Sequence, residues 1–317
     1  MPSKILDSAT VSIGAVRDSW ARALDAANKS PKTILSYIAA VDALAAFLEA
    51  SGMPTGIDAV RREHLEAFIS ARMRQVTHRG RPRSVNSVLV EYRSLRVFWN
   101  YAVDADEISR SPMAKMSPPR PGEKVIPVIT DAEILAILRA CARGPKFEAR
   151  RDTAILQLFL DTGIRRQEAA GLTLSDVQFD QKVVRVTGKG NRQRDVPFGD
   201  ATAVALDKYL RLRAGHRSAA LPNLWLGMAG PMTNSGVYQV VRDRAAMAGV
   251  QLHPHQLRHT FAHKYLTSGG NEGDLMRLAG WQSETMLRRY GASAADHRAR
   301  AAYQGRSPVD QILRDRR

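Results

Sequence analysis

The sequence contains a single cysteine, Cys141, among 317 residues. One cysteine cannot form a disulfide within the chain, and it cannot supply a cysteine-based zinc site. No apolar run approaches the roughly 18 residues that a membrane span requires, and the start, MPSKILDSATVSIG, lacks the apolar core of a secretory signal. We therefore expect a cytoplasmic protein with no membrane partner.

Acidic residues are scarce relative to basic ones. The chain has 31 aspartates and glutamates against 47 lysines and arginines, which gives a formal net charge of +16. This excess favours nucleic acid as the partner, because lysine and arginine neutralise phosphates and release counterions. General basicity of a soluble protein is the alternative, whereas binding to an anionic membrane would require a basic amphipathic helix that the sequence lacks. Hydrophobic residues make up 44% of the chain, enough for a sizeable core.

The first third of the sequence has the periodicity of helices. Ser30 and Pro31 are typical of an N-cap and a first helical position, and helical spacing continues over 61–75 and 84–103. A basic Gly/Pro turn, 77–84, is either a solvated loop or a loop that contacts a DNA backbone. A proline-rich stretch then predicts a helical domain over 1–117, a linker over 118–127 and a second domain over 128–317.

The second domain mixes helices with one hairpin. Thr130 and Glu133 form a capping-box pattern, and the helix that follows residue 150 is expected to end at Gly163. The valine run at 183–186, followed by GKGN and a second short run, is typical of a β-hairpin. Further helices are predicted over 200–213, 235–248 and 255–268. The predicted fold class is mainly α with a small β-sheet or hairpin.

The stretch HPHQLRHTFAH, 253–263, holds four of the eight histidines. Its metal interpretation is weak, because Gln256 stands where a metalloprotease motif needs glutamate and no acidic residue lies within the stretch. A phosphate site fits better, since His255 and Arg258 are three apart and share a helical face. Arginine offers two parallel donors to phosphate oxygens, and histidine can donate a hydrogen bond or transfer a proton. His259 would support this pair from behind.

Other segments supply candidate partners for that site. In DTGIRRQEAAGL, Arg165 stands at a helix start and Glu168 one turn later can fix its guanidinium, although a surface ion pair would give the same pattern. Lys189 at the hairpin tip is either solvated or a proton donor to a leaving oxygen. Tyr290 beside two arginines is either a packing residue or a nucleophile whose ionised form the cations favour.

Taken in order, these motifs resemble the tyrosine recombinase (phage integrase) family, with Xer-like members. TGIRRQE is similar to its first arginine box, GKGNRQRDVP to its lysine hairpin, and HQLRH matches its His-x-Leu-Arg-His box in full. LAGW stands in place of Leu-Gly-His, nine residues before the tyrosine. The resemblance implies these catalytic residues: Arg165, Lys189, His255, Arg258, Trp281 and Tyr290. Trp281 departs from the usual histidine, and its indole can donate a hydrogen bond but not exchange a proton.

The resemblance implies an N-terminal helical core-binding bundle and an α+β catalytic domain with a C-terminal tail. It further implies strand cleavage and rejoining through a 3′-phosphotyrosyl link, with no cofactor, metal or ATP. The implied partners are double-stranded DNA with inverted-repeat core sites, a homotetramer on two duplexes, and accessory DNA-bending or regulatory proteins. Segment 294–303 or 309–313 is expected to dock on a neighbouring subunit. The alternatives are a catalytically silent DNA-binding protein and a type IB topoisomerase-like enzyme.

Overall fold

The computed structural model describes residues 11–78, 80–122, 127–188, 191–284 and 286–287, together with isolated positions between 295 and 313. The chain divides into two compact units, Met1–Lys124 and Val125–Arg317. Both are rich in helices, and the second also holds small antiparallel sheets, which confirms the predicted fold class. The assignment of the first unit to DNA binding and of the second to catalysis stays a prediction.

Helices form the regular structure of the first unit's described residues: α1 (Ile13–Ala26), α2 (Pro31–Ala50), α3 (Arg62–Arg74) and α4 (Val85–Asp104). The predicted start of α2 is confirmed, because the Ser30 hydroxyl accepts a hydrogen bond from the Thr33 amide at 3.2 Å and Pro31 occupies the first turn. Helix α1 was not predicted from the sequence. The ring of Trp20, on α1, stacks on that of Tyr37 with ring centroids 5.3 Å apart.

Large apolar side chains fill the core between these helices. Those that are almost wholly buried include Leu44, Leu48, Leu65, Phe68, Tyr92, Phe98 and Trp99. On α4, Val97 is 40% exposed, because the buried stripe of this helix follows Tyr92, Leu95 and Phe98. Successive members of this set are three residues apart, and residues three apart are neighbours on a helix surface.

Among the described helices, α2 is the one whose length and composition would allow it to cross a membrane. Such a helix is weak evidence for a membrane, because a core helix can have the same composition. Here Val41, Leu44 and Leu48 lie in the core of the first unit, as a core helix requires.

The basic turn 77–84 is closed by backbone hydrogen bonds. The Arg81 carbonyl accepts from the Thr77 amide at 2.8 Å and from its hydroxyl at 2.9 Å. Glu91 of α4 pairs with both Arg72 and Arg83 and so ties the turn to α3 and α4. Contact of this turn with DNA stays a prediction.

In the second unit the described elements run in chain order as follows: α5 (Asp131–Cys141), α6 (Lys146–Thr162), α7 (Arg166–Ala170), β1 (Val177–Gln178), β2 (Val183–Thr187), β3 (Gln193–Pro197), α8 (Asp200–Arg213), β4 (Leu226–Gly227), β5 (Gly230–Pro231), α9 (Asn234–Met247), α10 (Pro254–Thr267) and α11 (Glu272–Ala279). The predicted capping box is present, since the Thr130 amide donates to Glu133 at 2.8 Å. The predicted hairpin is confirmed as β2 and β3, which pair antiparallel with Val184 opposite Val196.

Helix α6 lies at the centre of this unit and packs against α5, α8, α9 and α10. Its Ile155, Leu158 and Phe159 are buried in the main core. The helix ends as predicted at Gly163, which takes the left-handed conformation with φ of 57°. The chain then enters the turn that carries Arg165, so the end of α6 fixes one side of the candidate site.

Candidate active site

Four of the six predicted catalytic residues lie among the described residues, all in the second unit. Arg165 is the N-cap of α7, and His255 and Arg258 lie in the first turns of α10. Trp281 directly follows the C-cap of α11. The structure brings Arg165, Arg258 and Trp281 together around the C-terminal end of α11, while His255 is exposed one turn before Arg258.

Arg258 is buried beside Trp281. Only 2% of the arginine is exposed, and its guanidinium carbon lies 5.4 Å from the centroid of the Trp281 ring, within cation–π range. The same guanidinium donates hydrogen bonds to the carbonyls of Gly163 and Ala279. One side chain therefore joins the ends of α6 and α11 to the first turns of α10.

Arg165 is the more accessible arginine, with 42% of its side chain exposed. One guanidinium nitrogen donates to Glu168 Oε1 at 2.8 Å, and the other donates to the Gly280 carbonyl at 3.1 Å. The predicted ion pair with Glu168 is thus present and fixes the direction of Arg165. Because α7 has only five residues, its dipole adds little to anion binding.

Glu168 is the anionic centre of this network. Its side chain is 4% exposed and accepts from the Arg165 amide, the Arg165 guanidinium and both terminal nitrogens of Arg194. Burial alone would raise the pKa of this carboxyl. The hydrogen bonds from Arg194 and Arg165 and the charge of Arg194 outweigh burial and lower the pKa to about 2. Glu168 is therefore ionised throughout the neutral range.

Sequence reasoning missed Arg194, which reaches Glu168 from β3. Its guanidinium lies 2.8 and 3.1 Å from the two carboxylate oxygens, and its Nε donates to the Leu278 carbonyl at 2.8 Å. A signal was available in the strand alternation. Arg194 stands two residues before Val196, which is fully buried, and residues two apart on a strand point to the same face.

His253 and His259 are two further histidines of the stretch 253–263. The His253 amide donates to Gln256 at 2.9 Å at the start of α10, and the His253 ring lies parallel to that of Tyr238. His259 is buried on the same helix, and its supporting role stays a prediction. Among the residues that the structure describes, no group of three or more histidine, cysteine or acidic side chains could hold a metal ion.

Two predicted catalytic residues, Lys189 and Tyr290, lie outside the described residues. Their places in the site stay predictions. The same holds for most of the two C-terminal segments expected to dock on a neighbouring subunit, 294–303 and 309–313.

Comparison with known proteins gives one family. The phage integrase family matches residues 127–297 of the chain. The tyrosine recombinase XerC of Syntrophus aciditrophicus (strain SB) is 26% identical over 291 residues, which cover 89% of this chain and 93% of the relative. The tyrosine recombinase XerC of Azotobacter vinelandii (strain DJ) is 37% identical over 192 residues, which cover 59% of this chain and 62% of the relative.

Solved structures give the same fold. An integrase of the transposon Tn1549 in complex with transposon right end DNA has a TM-score of 0.71 at 20% identity, covering 93% of this chain and 99% of that one. The XerH site-specific recombinase bound to palindromic difH substrate has a TM-score of 0.70 at 16% identity, with coverage of 93% and 85%. A lambda integrase tetramer bound to a Holliday junction has a TM-score of 0.69 at 17% identity, with coverage of 89% and 81%.

Proposed function

Because the chain belongs to the phage integrase family of tyrosine recombinases, which act on DNA by site-specific recombination, we propose that it cleaves and rejoins DNA strands through the six predicted catalytic residues. The predicted recombinase class is confirmed at the level of the family. The observation that carries the assignment to residues is the convergence of Arg165, Arg258 and Trp281 on the end of α11.

The proposed role of the two arginines is to bind the non-bridging oxygens of the scissile phosphate. A phosphoryl transition state carries more negative charge than the diester, so fixed cations stabilise it preferentially. Arg165 and Arg258 are held by Glu168 and by backbone carbonyls, which reduces the reorganisation needed when DNA binds. The Trp281 indole N–H would donate to a phosphate oxygen but would not transfer a proton.

The proposed cleavage step uses Tyr290 as the nucleophile. Its phenolic oxygen forms a bond to phosphorus while the bond to the 5′-oxygen breaks, which leaves a 3′-phosphotyrosyl link and a 5′-hydroxyl. The phenol gives up its proton, with His255 as the acceptor, and Lys189 supplies a proton to the departing 5′-oxygen. The 5′-hydroxyl of a partner strand then reverses the step. The covalent link conserves the ester, so the cycle needs no ATP.

The proposed substrate is duplex DNA with inverted-repeat core sites, and the proposed assembly is a homotetramer on two duplexes. The net charge of +16 suits a large DNA surface. A lambda integrase of the same fold has been solved as a tetramer on a Holliday junction. We further propose that the protein acts in the cytoplasm, as a soluble DNA-acting member of its family, with accessory DNA-bending proteins as further partners.

Covalent trapping on DNA tests this function. Binding sites are first selected from random DNA, and a nicked version of the selected site is then used, from which a short 5′-hydroxyl strand diffuses away after cleavage. We expect the wild-type protein to form a covalent adduct and Tyr290→Phe to form none, with unchanged site binding. Adducts with Tyr290→Phe would refute the nucleophile. If the wild-type protein forms no adduct, the alternative of a catalytically silent DNA-binding protein would be favoured. Relaxation of plasmids that lack the site would indicate a topoisomerase.

A further inference from the structure

The C-terminal end of α11 is held by three arginines. Its last carbonyls, those of Leu278, Ala279 and Gly280, accept hydrogen bonds from Arg194, Arg258 and Arg165 respectively. A helix end normally leaves such carbonyls without intrahelical partners and carries partial negative charge, so guanidinium donors stabilise it. Two of these arginines are the proposed phosphate ligands, and Trp281 follows the last carbonyl.

Arg194 differs from the other two in its surroundings. Only 14% of its side chain is exposed, and its donors are directed at Glu168 and the Leu278 carbonyl. Gly280 allows this approach: a Cβ there would lie 3.1 Å from the guanidinium carbon of Arg194, and the residue has φ of 61°. Arg194 therefore fills the space behind the end of α11 rather than the accessible face where Arg165 lies.

The contacts of Glu168 connect Arg194 to the phosphate ligands. A buried carboxylate needs a cation and hydrogen-bond donors, and Arg194 supplies two of them in fork geometry. The same carboxylate fixes the guanidinium of Arg165 at 2.8 Å. Loss of Arg194 would leave a buried carboxylate with one arginine partner and would remove one of the three arginines that donate hydrogen bonds to the C-terminal end of α11.

We propose that Arg194 is a positioning residue for DNA strand cleavage, which acts through Glu168 and the Leu278 carbonyl to hold Arg165 and Trp281 where they meet the scissile phosphate. This inference rests on the proposed function and assigns Arg194 no contact with DNA. Lysine could replace it only in part, because its donors all belong to one nitrogen, whereas three separate guanidinium nitrogens of Arg194 reach the two carboxylate oxygens and the carbonyl.

Charged groups from several elements face Glu168 or lie on elements packed against α7. Arg194 reaches it from β3, and Arg165 from its own turn, while Lys189 lies outside the described residues. The arginines on β2 and α9 are paired elsewhere: Arg185 with Asp195, Arg242 with Asp243 and Arg244 with Asp152. Removal of Arg194 thus removes the main cation opposing the effect of burial on Glu168.

The test compares Arg194→Gln, Arg194→Lys and the double variant Glu168→Gln/Arg194→Gln in single-turnover covalent trapping on the nicked site. Arg185→Gln is the matched control, because it breaks a bidentate arginine–aspartate pair in the same hairpin whose side chains are 43% and 41% exposed. Each variant is first checked for folding by circular dichroism and for site binding. Cleavage rates are then measured from about pH 8 to about pH 5, the range in which we expect a buried carboxyl that has lost one of its two arginine partners to titrate.

We expect Arg194→Gln to cleave roughly 100-fold more slowly than wild type, with nearly unchanged site binding, because small displacements of reacting groups cost this much. Its rate should fall further as the pH is lowered, since protonated Glu168 no longer holds Arg165. The double variant should lose this added pH dependence. Arg194→Lys should keep the wild-type pH profile but remain roughly tenfold slower, because it restores charge without the fork. Arg185→Gln should match wild type.

Two results would overturn the inference while leaving the function intact. One is wild-type cleavage by Arg194→Lys at every pH. The other is slow cleavage by Arg194→Gln with the pH profile of wild type, which would indicate general destabilisation. If Arg194→Gln does not fold, the decision rests on Arg194→Lys and on the double variant, which also removes the charge of the buried carboxylate. Absence of adducts with wild type would instead refute the proposed function.

Discussion

Replacing Gly163 with alanine should damage both stability and cleavage, because this glycine lies where α6 meets the candidate site. Gly163 has φ of 57°, in the left-handed region that alanine adopts at a cost of about 1–2 kcal/mol. An added Cβ would lie 2.3 Å from Cδ1 of Phe261 and 2.9 Å from its Cγ. Carbon atoms in contact are normally about 3.5–4.0 Å apart, so the ring on α10 must move.

The expected loss of stability in Gly163→Ala is the sum of the backbone strain and the steric clash with Phe261. Overpacking of a rigid core costs about 1–3 kcal/mol, and with the backbone strain the sum is roughly 2–5 kcal/mol out of a usual total of 5–15. Gly249→Ala is the matched control. Gly249 has φ of 73° and nothing within 4 Å of its added Cβ, so it should lose only the backbone contribution of about 1–2 kcal/mol.

Urea unfolding of the full chain measures this difference, and hydrogen exchange locates it in α6 and α10. We also expect Gly163→Ala to slow covalent trapping on DNA, because Phe261 lies three residues after Arg258, whose guanidinium donates to the Gly163 carbonyl. Equal loss of stability in Gly163→Ala and Gly249→Ala would refute the steric argument. Unchanged cleavage in a folded Gly163→Ala variant would show that Arg258 does not depend on this packing.

Further predictions concern acid stability, metal and the C-terminal tail. The pKa of Glu168 is lowered from 4.5 to about 2, so its ionised form stabilises the fold by roughly 3 kcal/mol above pH 4.5. This contribution is lost as the pH falls towards 2. In acid unfolding titrations, Glu168→Gln should therefore lose less stability than wild type over the same pH range. Covalent trapping should proceed fully in excess chelator, and a strict requirement for a divalent ion would contradict the arginine-based mechanism. Deletion of the residues after Gly305 should impair recombination more than binding of one protomer to a half-site, and an equal loss in both assays would argue against docking between subunits.

The parts of the site that could be predicted from the sequence are those whose residues lie close together in it. The HQLRH box places His255 and Arg258 one turn apart on α10, and the pairing of Arg165 with Glu168 follows from i, i+3 spacing. The ends of α2 and α6 were predictable for the same reason, because Ser30 and Gly163 act through local backbone geometry. Short sequence patterns therefore predict the structure of the segments in which they occur.

Contacts between distant segments were not predictable in this way. Arg194 is separated in sequence by 26 residues from Glu168 and by 84 from Leu278, and no pattern in these segments predicts that they are in contact. Strand alternation could have placed Arg194 on the inner face of the hairpin, but the partner of an inward arginine depends on how α7 and α11 pack. Helix α1 was missed although its signal is local: Ile13, Val16, Trp20 and Leu24 recur at the spacing of one helical face, and the Ser12 side chain caps its start.

The three arginines also explain why stability and reactivity should be coupled here. Arg165 and Arg258 each use donors to hold the end of α11, so the groups proposed to neutralise phosphate also stabilise the helix that precedes Trp281. Glu168 links Arg165 to Arg194 through one carboxylate. Substitutions at Arg165 and Arg194 should therefore be non-additive in cleavage, because either change alters the place of the other side chain. A double-mutant cycle with additive effects would mean that the two arginines act independently, and the coupling argued from their shared carboxylate would fail.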